Sequence, residues 1–231
     1  MAQDFSRRTT DTELMDTEAV DAADFGRCLA DLETVNKVTF AHGPTLRWLA
    51  RALRGADAFS LLDVAYGHGD MTRAIHRWAT RRGVRASLSG VDLNPSSAIA
   101  AAAATPAGMS IAWHTGDVFA YRPEPRPDFI VSSLFTHHLT DAQLVEFVRW
   151  METQAVRGWF INDLHRHPVA YHGFRALSTA AGWHRFVRHD GPVSIARAFV
   201  RADWQRTLEQ AGVAADISWV FPFRYCVSRL K

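Results

Sequence analysis

From Phe59 onward the chain alternates short apolar runs with amphipathic stretches, and no other feature narrows its fold as far. The runs are FSLLDVA (59–65), RASLSGVDL (85–93), MSIAWHTGD (109–117), DFIVSSLF (128–135) and GWFINDL (158–164), with helical periodicity over about 70–82, 95–105 and 140–156 between them. This alternation is the mark of successive β–α–β units, which build a parallel sheet with helices on both faces. The fourth and fifth runs hold Phe129, Ile130, Val131 and Trp159, Phe160, Ile161 in unbroken apolar groups, as strands covered on both sides require. They belong at the centre. The tail reads RADWQRTLEQAG, a helix closed by Gly212, and then VAADISWVFPFRYCVSRL, two strand-like runs split by Pro222. An antiparallel hairpin closing one edge is expected there. The expected fold class is α/β, a doubly wound seven-stranded sheet that is parallel except for this C-terminal edge hairpin.

Before that unit, Leu29, Leu32, Val35, Val38 and Phe40, then Leu46, Leu49 and Leu53, fall at helical spacings on either side of Gly43-Pro44. Two helices, roughly 22–39 and 43–54, are expected to form an N-terminal cap. Residues 1–20 are polar with little apolar periodicity, and read as a mobile or loosely docked arm, with order beginning near Phe25. The expected organisation is an arm and cap helices over 1–54 and a catalytic domain over 55–231. Within the latter, 165–200 carries five of the eleven histidines and reads as an inserted lid or pocket wall.

Composition removes several classes of function. The 231 residues carry a net charge of only +2, with the basic residues dispersed, so nucleic acid is not an expected partner. No apolar run reaches the ~18 residues of a spanning helix, which argues against membrane insertion. The opening MAQDFSRRTTDTELMD has no apolar core of a signal peptide. Cys28 and Cys226 match neither a disulfide framework nor a zinc spacing, and a cytoplasmic location is expected. A homodimer is compatible with an exposed arm.

The first strand runs into LLDVAYGHGD (61–70), a loop holding Gly67 and Gly69 where a helical pattern begins. In a doubly wound sheet such a turn meets the ligand backbone to backbone. A pyrophosphate site would show G-x-G-x-x-G, whereas this loop is flanked by Asp63 and Asp70, which would repel a phosphate and suit a cationic ligand. Asp92, in VDLNP at the end of the second strand, stands where a carboxylate accepts both hydroxyls of a ribose. Asp117, in GDVF after the third, stands where one can accept from an exocyclic adenine amine. Singly these residues could be a strand-end carboxylate, a helix cap and a turn former; together they outline a site for a cationic nucleoside.

With these motifs the sequence resembles the class I S-adenosylmethionine (SAM)-dependent methyltransferases, through LLDVAYGHGD, VDLNP, GDVF and DFIVSSLFTHHL, over about 55–165. The resemblance implies a Rossmann-like fold and SAM as cofactor, with S-adenosylhomocysteine (SAH) as product. It assigns cofactor contacts to Asp63, Ala65, Tyr66, Gly67, Gly69, Asp92, Leu93, Asp117, Val118 and Ser133. The chain departs from the family where Ala65 and bulky Tyr66 replace small residues, and where His68 could reach the cofactor carboxylate or point to solvent. Within the family it is similar to small-molecule methyltransferases related to quinone biosynthesis, including a bacterial subgroup reading NDLHR and HDGP, here 162–166 and 189–192. This implies a lipophilic hydroxylated acceptor of phenolic, polyketide or quinone-like type. Related enzymes use the region of Asn36 and Lys37 to cover the cofactor's amino-acid end.

Methyl transfer to such an acceptor is an in-line displacement that needs alignment and an available lone pair. Ionising a phenol of pKa ~10 at pH 7 costs about 4 kcal/mol, which a histidine base offsets. His138, in the pair after the fourth strand, is the first candidate; His165 and His189 compete with it. Phe135, Tyr171, Phe174 and Phe186, with Trp183 and Phe199 nearby, are candidates for an apolar acceptor pocket, about half of them facing it. No metal is expected: some family members place carboxylates after the fourth and fifth strands, and here the fourth offers only Ser132 and Ser133. The HRH of 165–167 lacks a second ligand group at suitable spacing. O-methylation is the leading activity, with C-methylation of an activated ring or SAM binding without transfer as alternatives.

Overall fold

The computed structural model describes residues 3–18 and 22–231, the side chains of residues 16 and 22–25 excepted. Its seven strands are β1 (Ala58–Val64), β2 (Arg85–Asp92), β3 (Ile111–Thr115), β4 (Phe129–Ser133), β5 (Gly158–Leu164), β6 (Asp216–Val220) and β7 (Arg224–Leu230). They lie in the order β3-β2-β1-β4-β5-β7-β6. The first five are mutually parallel, while β7 runs antiparallel to β5 and β6 antiparallel to β7. The expected hairpin is present, with β7 inside and β6 outermost. The order reverses between β1 and β4, so their carboxyl ends splay into a crevice.

Helices α1 (Leu14–Thr17), α2 (Ala22–Val38) and α3 (His42–Ala52) precede the sheet; α4 (Asp70–Arg81), α5 (Pro95–Ala104) and α6 (Asp141–Gln154) cross over between its strands. Then come α7 (Pro168–Ala180), α8 (Arg185–Arg197) and α9 (Arg201–Ala211). The helix ends follow local chemistry: Asn94 accepts from Ser96 N with Pro95 at the first position of α5, Thr140 and Gln143 form a capping box on α6, and Gly212 closes α9 in a left-handed conformation.

Each face of the sheet has its own core. One joins Ile130, Trp159 and Ile161 to Phe147, Met151 and Trp204 of α6 and α9. The other joins Leu61, Phe129 and Phe160 to Trp48 and Ile75 of α3 and α4. Phe129 and Trp159 are fully buried, as the two-sided covering of central strands demands. A third cluster, Cys28, Val35, Phe186 and Val187, ties α2 to α8.

The described part of the arm is not loosely docked. Arg8 donates to the carbonyls of Arg197, His137 and Leu139 and to Asp141, at 2.6–3.0 Å. Asp190 on α8 accepts from the amides of Leu14 and Met15 and so caps α1, and Glu13 is 5% exposed. The arm docks largely through hydrogen bonds, with isolated apolar contacts from Phe5, Leu14 and Met15 that repeat at no regular spacing, which is why hydrophobic periodicity does not reveal it. Residues 1, 2, 19 and 20 of the expected arm lie outside the described residues.

Candidate active site

A cavity of about 1080 Å³ opens over the carboxyl ends of β1, β2 and β4, roofed by the cap helices, the arm and the pair α7–α8. Among the residues assigned from sequence, Asp63, Ala65, Tyr66, Gly67, Asp92, Leu93, Asp117, Val118, Ser133, Phe135, Phe174 and His138 line it.

The loop after β1 is shaped for close approach. Ala65 and Gly67 have φ of +57° and +51°, and a Cβ at Gly67 would meet nothing within 4 Å, so this backbone faces open space. The Gly67 amide donates to Asp92 Oδ2 at 2.9 Å, and Asn94 N to Asp92 Oδ1 at 2.9 Å, which fixes the carboxylate at the cavity wall. Asp117 is set by the Phe119 amide at 3.0 Å. Ser133 Oγ is buried without a hydrogen-bond partner. Gly69 does not line the cavity: it precedes α4 and packs beneath the loop against Trp113 and Ala101.

The two bulky loop residues find separate places. Tyr66 turns under the loop, its ring 4.6 Å from that of Trp113 and its hydroxyl donating to His114 O. The space comes from Gly90 on β2, where a Cβ would stand 2.5 Å from the Tyr66 ring. Burial, then the charge of Asp92, push the Tyr66 phenol up to about 12. His68 turns neither to solvent nor to open cavity alone; its Nδ1 lies 2.7 Å from Glu33 Oε2 on α2, which Arg73 also reaches. The loop is thereby tied to the cap.

At the cavity floor Asp63 is 1% exposed and accepts from Thr72 Oγ1 at 2.6 Å. Burial raises its carboxyl to about 7, the Thr72 hydrogen bond opposing and the charges of Asp70 and Asp92 reinforcing. Asp70 behaves oppositely: burial raises it, but the bond and charge of His42, the amide of Asn36 and nearby Arg73 outweigh that and hold it low. A carboxyl raised in the folded state is fully tolerated below its unfolded value and costs stability as pH climbs through its folded one. Asp63→Asn is therefore expected to stabilise the ligand-free protein at pH 8 by up to about 4 kcal/mol, three pKa units at 1.36 each, with the gain vanishing near pH 4. Thermal unfolding across that pH range measures it.

On the far side, the turn Thr136–His138 after β4 carries both histidines to the cavity. His137 is 3% exposed, with Nδ1 2.7 Å from Asp163 Oδ1. Thr136 Oγ1, the His137 amide and the Leu164 amide also donate to Asp163. Burial drives the Asp163 carboxyl up, but the His137 charge and these hydrogen bonds overcome it and hold it at about 2. Asp163 thus stays ionised and holds His137 Nδ1 as a donor, which leaves Nε2 as the ring nitrogen turned to the cavity. Glu13 faces that atom and His138 Nε2, at 3.7 Å from each. The histidine pair was visible in the sequence, but its partners were not: Asp163 comes from the next strand and Glu13 from the arm.

Several of the assigned residues lie away from the cavity. His165 does not line the cavity; its Nδ1 accepts from Trp219 Nε1 at 3.1 Å beside Tyr225 and Phe223, and burial, with the charges of His167 and Arg166, lowers it to about 4. His189 is half exposed and turns to Asp190 outside the cavity. Tyr171 packs against Phe5 and His172. Phe186 and Phe199 are fully buried core residues. Of the six aromatic candidates only Phe135 and Phe174 line the cavity; Tyr171 on α7 faces the arm, and Phe186 and Phe199 are packed into the core. Arg224, 2% exposed at the cavity edge, was not singled out; burial lowers its guanidinium to about 10, with Asp163 opposing.

Residues 61–155, from β1 to the end of α6, match the family model of a methyltransferase domain. The fold is shared with human N-acetylserotonin methyltransferase in complex with SAM (TM-score 0.64, 12% identity, 91% of this chain and 56% of that one). It is shared also with a SAM-dependent methyltransferase from Aquifex aeolicus (0.62, 14%, 91% and 98%) and with magnesium protoporphyrin IX methyltransferase from Synechocystis with bound SAH (0.56, 13%, 84% and 82%). No curated protein matches the sequence significantly. The architecture is therefore the Rossmann-like methyltransferase fold. No helix among the described residues is long and apolar enough to cross a membrane.

Proposed function

We propose that the chain transfers the methyl group of SAM to a hydroxyl of a small lipophilic acceptor of phenolic, polyketide or quinone-like type. The observation that carries this reading is one cavity with acidic strand ends at Asp63, Asp92 and Asp117 on one side and a carboxylate-held histidine on the other. The residues fit the cofactor: the bare backbone at Gly67 leaves room, Asp92 is fixed for the ribose, Asp117 for the adenine amine, and Ser133 Oγ is an unused polar atom. Asp70, held ionised beside the loop, favours the cationic amino-acid end. When bound, SAM supplies an electrophilic methyl group on a sulfonium.

The protein's own contribution is alignment and deprotonation. Phe135, Phe174 and Leu139 surround the acceptor with apolar surface. His137, rather than His138 alone, receives the hydroxyl proton on Nε2, since Asp163 holds its other nitrogen as a donor. Residues 1–54 act as arm and cap over the catalytic domain of 55–231. Titration of the purified chain with SAM and SAH is expected to give dissociation constants below about 100 µM, and labelled methyl is expected on a hydroxylated aromatic acceptor. Folded protein with no affinity below millimolar for either compound would overturn the reading. Binding without transfer would favour the non-methylating alternative, and label found on carbon would favour C-methylation.

A further inference from the structure

The corner where Glu13, His137 and His138 meet has the composition and spacing of a metal site. One ligand atom from each lies within 4.8 Å of the others; Glu13 Oε1 is 3.7 Å from His137 Nε2 and Glu13 Oε2 is 3.7 Å from His138 Nε2. Those separations exceed a hydrogen bond. Around a tetrahedral ion with bonds of ~2.0–2.1 Å, ligand atoms stand roughly 3.3–3.4 Å apart; the two Glu13–histidine separations, one from each carboxylate oxygen, exceed that by a few tenths of an ångström, and small side-chain rotations bring the three residues onto one ion.

The surroundings fit as well. His137 donates its Nδ1 proton to buried Asp163, the arrangement that orients a metal-bound imidazole and raises its basicity. Arg8 and Arg197 donate to the carbonyls of the turn carrying both histidines. Glu13 is held by Ser194 Oγ at 2.8 Å, and Arg197 stands 3.9 Å from it. Arg197 opposes a cation, but Glu13 and Asp163 together outweigh its single charge. Two imidazoles and one carboxylate select a zinc-like transition ion over magnesium or calcium.

We propose that Glu13, His137 and His138 bind one divalent transition-metal ion of the zinc class, leaving an open coordination position toward the acceptor cavity. The proposal rests on the methyl-transfer reading for its role: in the loaded protein the ion, rather than imidazole, activates the acceptor. The hydroxyl takes the open position and releases its proton to solvent; its oxygen forms the new bond to the methyl carbon while the carbon–sulfur pair stays on sulfur. The arm, as carrier of Glu13, becomes part of the site.

Chelator-stripped full-length protein titrated with Zn²⁺ alone, by calorimetry, is expected to bind one equivalent with a dissociation constant below about 10 µM, and Co²⁺ to give the visible absorption of a four-coordinate ion. Glu13→Gln, which keeps the shape, and His138→Ala are each expected to weaken Zn²⁺ at least tenfold, whereas His76→Ala on α4 leaves it unchanged. Absence of one-equivalent binding, or equal affinity in Glu13→Gln and the parent, overturns the proposal. SAH affinity, measured on the same samples, reports folding and separates the two readings: Zn²⁺ binding lost with SAH binding kept sinks only the metal site, and the reverse sinks only the cofactor assignment.

Discussion

Asp92→Ala is expected to raise the dissociation constant for SAH at least 100-fold. A carboxylate offers about four acceptor positions, and in Asp92 the Gly67 and Asn94 amides occupy one on each oxygen. Two remain at the cavity wall for a vicinal diol. Hydrogen bonds to a charged group contribute about 1.5–3 kcal/mol each, so losing two costs 3 kcal/mol or more, roughly 150-fold. Asp92→Asn keeps one oxygen acceptor and is expected to lose only about tenfold. Calorimetric titration of both variants checks this. The graded pair matters because alanine also releases Gly67 and loosens the loop; a merely structural Asp92 would lower the thermal midpoint without the graded loss of affinity. Unchanged affinity in Asp92→Ala refutes the ribose assignment.

The sheet was legible because its central strands are covered on both faces, which forces unbroken apolar runs such as Phe129–Val131 and Trp159–Ile161. The acidic strand ends were legible for a related reason: the crevice lies where strands stop, so a position in sequence is already a position in the site. What lies around the crevice follows no such rule. Tyr66 looked out of place in its loop until Gly90, on the neighbouring strand, was seen to make room for it. Phe174 and Phe186 both lie in the α7–α8 segment, yet one faces the cavity and the other α2, a distinction set by tertiary packing. Glu13 left no signal at all, because a residue docked by hydrogen bonds from a polar arm has no hydrophobic period to betray it. His165 and His189 have the right chemistry on elements whose side chains point elsewhere.

Asp163→Asn tests the other half of the site and should lower kcat by about 10²–10⁴-fold while leaving the SAH dissociation constant and the acceptor KM within about threefold. The asparagine can still accept from Thr136 and the His137 amide with its oxygen, but its nitrogen then points a donor at His137 Nδ1, which drives the ring proton to Nε2, and gives up the hydrogen bond from the Leu164 amide. The lone pair that faces the cavity is lost by a change of tautomer, with little change of shape. Asp163 acts through His137 and is a positioning residue, so the decisive readout is the division of the effect: a structural role would weaken binding and stability along with turnover. The acidic limb of the pH profile adds an independent check. Asp163 is held at about 2, below its ordinary value, so its stabilising charge is fully present above ~pH 4 and is lost only as pH falls through 2. The parent enzyme should therefore show no Asp163-dependent loss of stability between pH 5 and 8. An Asp163→Asn variant with parental kcat would remove His137 as the proton acceptor and return the role to His138.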